Sequence, residues 1–347
     1  MTDRHPAIPT ELAEVTPEWL GGALGARVDA VQVLDSHSGT TGRVRLALRG
    51  SGAPASVFVK LAPFDAAQRE FVSATRMGVR EARLYRDLAA ELPVRMPCVW
   101  YADFDAEGRY VMVLEDLAAA GCSFPSPGDP RVGAWAGQIV EQLARLHARF
   151  HESPRFAGDL AWAARFGGGG SGGGDTAVNL VKLALDRLGD RLAPGFRRHA
   201  RLYIERARTI AALWSAGPAT LIHGDPHLGN LFVDGERIGF LDWAVVSRAP
   251  GMRDVAYVLC NSVPTELRRA HEREWIAAYC GRLAAGGVAL DLDRAWEQYR
   301  LFALYSWLAA TTTLAMGSKW QPERIGLAAT QRTTQALEDL RSAELIE

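Results

Sequence analysis

Eight consecutive residues, His223-Gly224-Asp225-Pro226-His227-Leu228-Gly229-Asn230, and a nearby Asp242-Trp243 place two carboxylates and an amide in one short stretch. Phosphoryl transfer needs one carboxylate to orient and deprotonate an acceptor hydroxyl, and separate oxygen ligands for the magnesium that bridges nucleotide phosphates. The spacing suits that division of labour. Leu231 to Val233 and Ile238 to Leu241 are short apolar runs around Asp234-Gly235, a strong turn signal, so they are expected to pair as an antiparallel hairpin. Asn230 and Asp242 lie just outside its open ends, nearly opposite one another. An amide oxygen and a carboxylate would then share one place, which suits a hard divalent cation.

Asp225 precedes Asn230 by the same separation as the aspartate and asparagine of the protein-kinase catalytic loop. His-Gly-Asp-x-x-x-x-Asn followed by Leu-Asp-Trp resembles the aminoglycoside phosphotransferase family and its choline-kinase-like and ecdysteroid-kinase-like relatives, small-molecule kinases with a protein-kinase-like fold. The resemblance implies Asp225 as catalytic base, Asn230 and Asp242 as magnesium ligands, and ATP with Mg2+ as cofactors. It further implies that Asp254, in Arg253-Asp254-Val255-Ala256-Tyr257, braces the catalytic loop. His223 and His227 would be scaffold residues of that loop.

The elements that must position these groups follow the kinase order. Val57-Phe58-Val59-Lys60-Leu61 reads as a buried strand carrying the lysine that contacts the α- and β-phosphates. A long helical stretch from about Ala66 to Ala90 follows, and its Arg80-Glu81-Ala82-Arg83 segment resembles the family's glutamate helix. Glu81 is the expected partner of Lys60; Glu70 would replace it only if the helix were broken near Gly78. Ahead of the lysine strand, Ser38-Gly39-Thr40-Thr41-Gly42 is small and polar between apolar runs, so the backbone at Thr40, Thr41 and Gly42 could approach phosphates closely. Tyr110 to Leu117 reads as a strand running into charge and resembles an interlobe hinge, with the Glu115 carbonyl and the Leu117 amide as the expected adenine contacts.

The fold expected is α+β and two-lobed, protein-kinase-like, with an antiparallel sheet and helix in residues 1–117 and a mainly helical lobe in 118–347. A chain of 347 residues with 48% hydrophobic content can build two such cores. The formal net charge of −1 gives no reason to expect nucleic acid or a membrane surface as partner. The first twenty residues lack the apolar stretch of a signal peptide, and the four cysteines are scattered, so a cytoplasmic protein with reduced thiols is expected. Leu301 to Ser318 is uncharged, but its serines and threonines fit a buried helix better than a membrane span. His147 and His151 at i and i+4 read as a partly buried helical pair, not a metal site. Residues 167–174, Gly-Gly-Gly-Gly-Ser-Gly-Gly-Gly, have the composition of a native flexible loop and equally of an engineered linker.

The resemblance implies a small-molecule hydroxyl as the acceptor. An aminoglycoside is a polycation and would call for many carboxylates. Residues 295–320 instead offer Trp296, Tyr299, Phe302, Tyr305, Trp307 and Trp320 with Glu297 as the only acid. This favours a neutral or weakly charged alcohol or glycosylated natural product, with an aminoglycoside or other antibiotic as the alternative, although aromatics at helical spacing are more often core than pocket. A catalytically silent kinase-like binding module would lack a base or a metal ligand, and none is missing. A protein kinase would end its activation segment in Ala-Pro-Glu, whereas this chain runs through Arg248-Ala249-Pro250-Gly251. Monomer and homodimer are both open.

Overall fold

The computed structural model describes residues 7–165, 175–189, 191–318 and 320–346. The Gly/Ser run at 167–174 therefore lies outside the described residues. By compactness the chain divides into two units instead of at a single position. The first comprises the described part of Met1–Ser123 with Phe232–Val245, and the second comprises Phe124–Leu231 and Val246–Glu347.

Alternation along one strand sets the first unit. Helix α1 (Pro17–Leu24) starts where the Thr16 side chain accepts a hydrogen bond from Trp19 N, and is followed by β1 (Arg27–Ser38), β2 (Gly42–Ser51) and β3 (Ser56–Leu61). In β2, Val44, Leu46 and Leu48 are buried while Arg43 and Arg45 between them remain partly exposed, the period-two pattern of a strand with one face on a core. That face joins Val57, Val59 and Leu61 of β3 and Leu20 of α1 in one apolar cluster, where each fully buried Val or Leu contributes roughly 1.5–3 kcal/mol. The opposite face carries Arg43, Arg45 and Lys60. Helices α2 (Ala66–Thr75) and α3 (Met77–Asp87) come next, then β4 (Val99–Phe104) and β5 (Tyr110–Glu115). The five strands form an antiparallel sheet in the order β1-β2-β3-β5-β4.

The single helix expected from Ala66 to Ala90 is two helices. The break falls at Arg76, in the left-handed region at φ 53°, with neither glycine nor proline to announce it. Gly78 lies within α3, and the reason for a glycine there is contact: a Cβ would stand 2.0 Å from the Tyr110 ring of β5. The break has not made Glu70 the lysine's partner, because α2 leaves Glu70 exposed and α3 buries Glu81.

The second unit is mainly helical. It contains α4 (Val132–Phe150), α5 (Asp175–Leu188), α6 (Phe196–Trp214) and a short strand β6 (Thr220–Ile222). The expected hairpin, β7 (Leu231–Asp234) and β8 (Arg237–Phe240) turning through Gly235 at φ 62°, belongs from Phe232 onward to the first unit, and the chain rejoins the second unit at Val246. Strand β9 (Ser247–Ala249) pairs antiparallel with β6, and α7 (Met252–Ser262), α8 (Thr265–Ala285), α9 (Leu292–Met316) and α10 (Glu323–Asp339) complete the unit. The apolar run after Leu301 belongs to α9, capped by Asp291 and packed against α7, α10 and α5. Among the described residues no helix is long and apolar enough to cross a membrane. Buried Arg268 of α8 pairs with Glu272 at 2.5 Å and with Asp339 of α10, while Tyr299 of α9 donates to Glu272 at 2.8 Å. One charged network thus ties three helices.

Candidate active site

In the first unit the functional side chains converge on Asp242. Lys60 leaves β3 on the face opposite the apolar cluster, and its Nζ lies 2.7 and 2.6 Å from the two carboxylate oxygens of Glu81 and 3.4 Å from Asp242 Oδ1. Glu81 also accepts from Trp243 N at 3.1 Å, so the glutamate holds both the lysine and the backbone that presents Asp242. Side-chain exposure is 5% for Lys60, 0% for Glu81 and 16% for Asp242. Burial, with the Asp242 charge adding to it, pushes the Glu81 carboxyl above its usual range against the pull of Lys60. A pair this buried is over-determined: removing one partner strands the other charge at a cost of about 3–5 kcal/mol. Asp242 itself sits at φ 63°, a strained conformation for a non-glycine residue that persists where surrounding contacts enforce it. Its second oxygen, Oδ2, is 3.1 Å from Arg43 Nη2.

Arg95 anchors the hairpin within this unit. Its guanidinium meets both oxygens of Glu115 at 3.0 and 2.9 Å and Asp234 at 2.9 Å, while its carbonyl accepts from Phe240 N at 2.8 Å. The Glu115 side chain is thereby held by Arg95. Asp116, the next residue, is held bidentately by Arg45 of β2 at 3.0 and 3.1 Å. Burial acts to raise the Asp116 carboxyl, but those bonds win and hold it below its ordinary value. Leu117 is buried and its carbonyl accepts from Cys122 N at 2.9 Å. At the β1–β2 turn, Gly39 N donates to Thr41 O at 3.1 Å; Thr40 is half-buried, and Thr41 is buried with its hydroxyl accepting from Arg43 Nε at 3.2 Å.

In the second unit β6 delivers the His223 loop onto the start of α7. Asp254, fully buried, accepts His223 N at 2.7 Å and Gly224 N at 2.9 Å. His147 of α4 faces the same carboxylate, its Nε2 3.4 Å from Oδ2 and its Nδ1 2.9 Å from the Tyr279 hydroxyl. This network is self-consistent if Nε2–H donates to Asp254 while Nδ1 accepts from Tyr279. Burial would raise Asp254, yet His147, His223 and the backbone bonds hold its carboxyl below the usual range. His147 thus serves the loop brace, whereas His151 is the residue after α4, outside the helix.

Asp225, a third exposed, is held from behind. Asn230 Nδ2 donates to its carbonyl at 2.9 Å and to its Oδ2 at 3.0 Å, and His227 Nε2 lies 3.6 Å from the same oxygen. With its amide nitrogen committed to Asp225, Asn230 has Oδ1 to present to a cation. His223 Nδ1 accepts from Asp225 N at 3.2 Å, and His227 Nδ1 from Gly229 N at 3.0 Å. Tyr257 of α7, buried, hydrogen-bonds to Asp225; burial first and the Asp225 charge second keep its phenol well above its ordinary value, so it acts as a donor. Carboxylate and amide oxygens are the donor types that a hard cation such as Mg2+ takes.

Sequence reasoning passed over Arg43, Arg95, Tyr257 and Tyr279. Tyr257 was the recoverable one, since it stands three residues after Asp254 and therefore on the same helix face. Of the aromatic residues considered for an acceptor pocket, Tyr299, Phe302 and Trp307 are core. The second unit does contain a cavity of about 250 Å3 lined by Leu213, Pro250, Leu301 and Phe302, with Glu297 and Arg294 as its acid and base.

A sequence model of the phosphotransferase enzyme family matches residues 37–302. No curated protein matches the sequence. Among solved structures the chain resembles a candidate aminoglycoside phosphotransferase of Ralstonia eutropha, at 14% identity and TM-score 0.56, covering 95% of this chain and 98% of that one. It also resembles an ethanolamine kinase of Plasmodium vivax, at 14% identity and TM-score 0.55, covering 91% and 84%. APH(2")-IIa in a ternary complex with streptomycin and ATP is similar at 16% identity and TM-score 0.50, covering 95% and 96%. At such identities these likenesses establish the two-lobed kinase-like fold.

Proposed function

The chain belongs to the phosphotransferase enzyme family and is a small-molecule phosphotransferase, and from that premise we propose that it moves the γ-phosphate of ATP to a hydroxyl of a neutral or weakly charged alcohol or glycosylated compound. The observation that carries this reading is the buried Lys60–Glu81 pair with Asp242 beside it, a costly arrangement with no need to exist unless a cation must stand at a fixed place against a carboxylate. Asp225 orients the acceptor hydroxyl and takes its proton. The acceptor oxygen bonds to the γ-phosphorus, the bond from that phosphorus to the bridging oxygen breaks, and ADP leaves. Lys60 aligns the phosphates, and Asn230 and Asp242 supply the oxygen ligands for magnesium. Magnesium held there would neutralise charge on the phosphate oxygens. Thr40, Thr41 and Gly42 offer backbone to phosphate, and Glu115 and Leu117 offer backbone to the base; Asp254, His223 and His227 hold the loop.

The acceptor class is supported by the sequence of residues 295–320, which is rich in aromatic residues and has Glu297 as its only acid. An acceptor site poor in carboxylates would leave several ammonium groups of a polycation unpaired, each costing on the order of a few kcal/mol where it is desolvated. ADP release measured across aminoglycosides, amino alcohols, macrolides, nucleosides and neutral glycosylated alcohols tests the reading. The best turnover is expected with an uncharged or singly charged hydroxyl compound. Efficient phosphorylation of kanamycin-like substrates at low KM would instead make this an aminoglycoside enzyme.

A further inference from the structure

Arg43 and Lys60 face each other directly across β2 and β3 as Cα partners in the antiparallel register, and both side chains leave the same face of the sheet. Like charges directly opposite in a sheet repel and destabilise it unless an anion lies between them. Here Asp242 does: its Oδ1 is 3.4 Å from Lys60 Nζ and its Oδ2 3.1 Å from Arg43 Nη2. The two cations are not equivalent. Lys60 is also locked by both oxygens of buried Glu81, whereas Arg43 is 35% exposed and otherwise touches the Thr41 hydroxyl of the β1–β2 turn at 3.2 Å. The turn is close because Gly42 has no side chain, a Cβ there standing 2.6 Å from the Ala62 carbonyl.

Resting on the ATP reading above, we propose that Arg43 is a phosphate-binding residue, forming with Lys60 a cross-strand cationic clamp for the terminal phosphates of the nucleotide. A guanidinium presents a fork of donors that matches two phosphate oxygens at once, which the single ammonium of Lys60 does not. A divalent cation held by Asp242 would draw the carboxylate's charge away from Arg43, leaving the guanidinium to take a phosphate oxygen in its place. The glycine turn keeps the arginine's stem at the loop where phosphate must come. The clamp therefore reads the charge of the phosphates and is indifferent to the base.

Titration calorimetry with adenosine, Mg·ADP and Mg·ATP on the wild type, Arg43→Met and Arg43→Lys tests this without any acceptor substrate. Arg43→Met is expected to weaken Mg·ADP and Mg·ATP at least tenfold while adenosine binds as in the wild type, and Arg43→Lys to lie between. A melting curve of each variant identifies misfolding, in which case adenosine affinity falls as well and Arg43→Lys, which keeps the charge, decides. Equal loss for adenosine and the phosphorylated nucleotides in Arg43→Lys, or unchanged Mg·ADP and Mg·ATP affinity in Arg43→Met, would overturn the clamp. Failure of the wild type to bind Mg·ATP more tightly than adenosine would instead overturn the nucleotide reading, and the clamp with it.

Discussion

The Lys60 cluster of the first unit and the Asp225 loop of the second handle charge in opposite ways. Around Lys60 the functional groups themselves are buried and satisfy one another, with Glu81 fully buried and Lys60 nearly so. Around Asp225 the functional carboxylate is a third exposed, and burial falls on the residues behind it: Asp254 at 0% and His147 at 1%. The first arrangement fixes a cation by mutual pairing, and its parts fail together. The second leaves the proposed base open to solvent and fixes its loop through backbone, so its supports should fail as stability before they fail as chemistry. Mutations in the two regions should therefore separate along turnover and folding.

The largest effect is expected at Asp242. Replacing it by alanine removes the carboxylate on which Lys60 and Arg43 converge, and turnover should fall by about three orders of magnitude or more, with the magnesium dependence of nucleotide binding lost. Magnesium titrations check this, and an unchanged metal requirement would place the ligand elsewhere. Asp254→Ala should act on folding. It leaves the His223 and Gly224 amides buried without acceptors, at about 1–3 kcal/mol each, so chemical denaturation should show a loss of roughly 2–6 kcal/mol. Because the folded state holds this carboxyl below its ordinary value, the unfolded chain binds the proton more readily. The stabilisation is then complete above the unfolded pKa of about 3.9 and is lost as pH falls through the lower folded value. The wild-type advantage over the variant should shrink only in strong acid. A smaller effect is expected from Tyr257→Phe, which removes one donor to Asp225 while keeping the ring: turnover should fall less than about tenfold with nucleotide affinity unchanged. A loss as large as that of Asp242→Ala would mean that Tyr257 touches the substrate.

The same contrast explains what was legible in the chain. Motif residues are readable because their chemistry dictates type and spacing: Asp225, Asn230 and Asp242 stand out with a hairpin between them, and the buried run around Lys60 marks its strand. The kinase-like fold was readable through the order of these elements. The arginine supports of the first unit were not, because they act over long range and their positions carry no local pattern. Arg95 joins Glu115 to Asp234, and Arg45 joins Asp116 to β2, from far away in sequence. The break in the helix after Thr75 was invisible for another reason. Arg76 adopts a left-handed backbone without being glycine, while the visible glycine, Gly78, serves the Tyr110 ring and not the break. Local propensity reports the first kind of residue and is silent about tertiary contact.

The central claim is that Asp225 performs proton chemistry and not binding, and Asp225→Asn tests it most directly. The amide keeps the size and much of the hydrogen bonding to Asn230 and Tyr257 but cannot take the acceptor's proton. Turnover and Mg·ATP affinity should be measured on the same preparation: turnover is expected to fall by about two to four orders of magnitude with affinity nearly unchanged. Turnover close to the wild type would contradict the account.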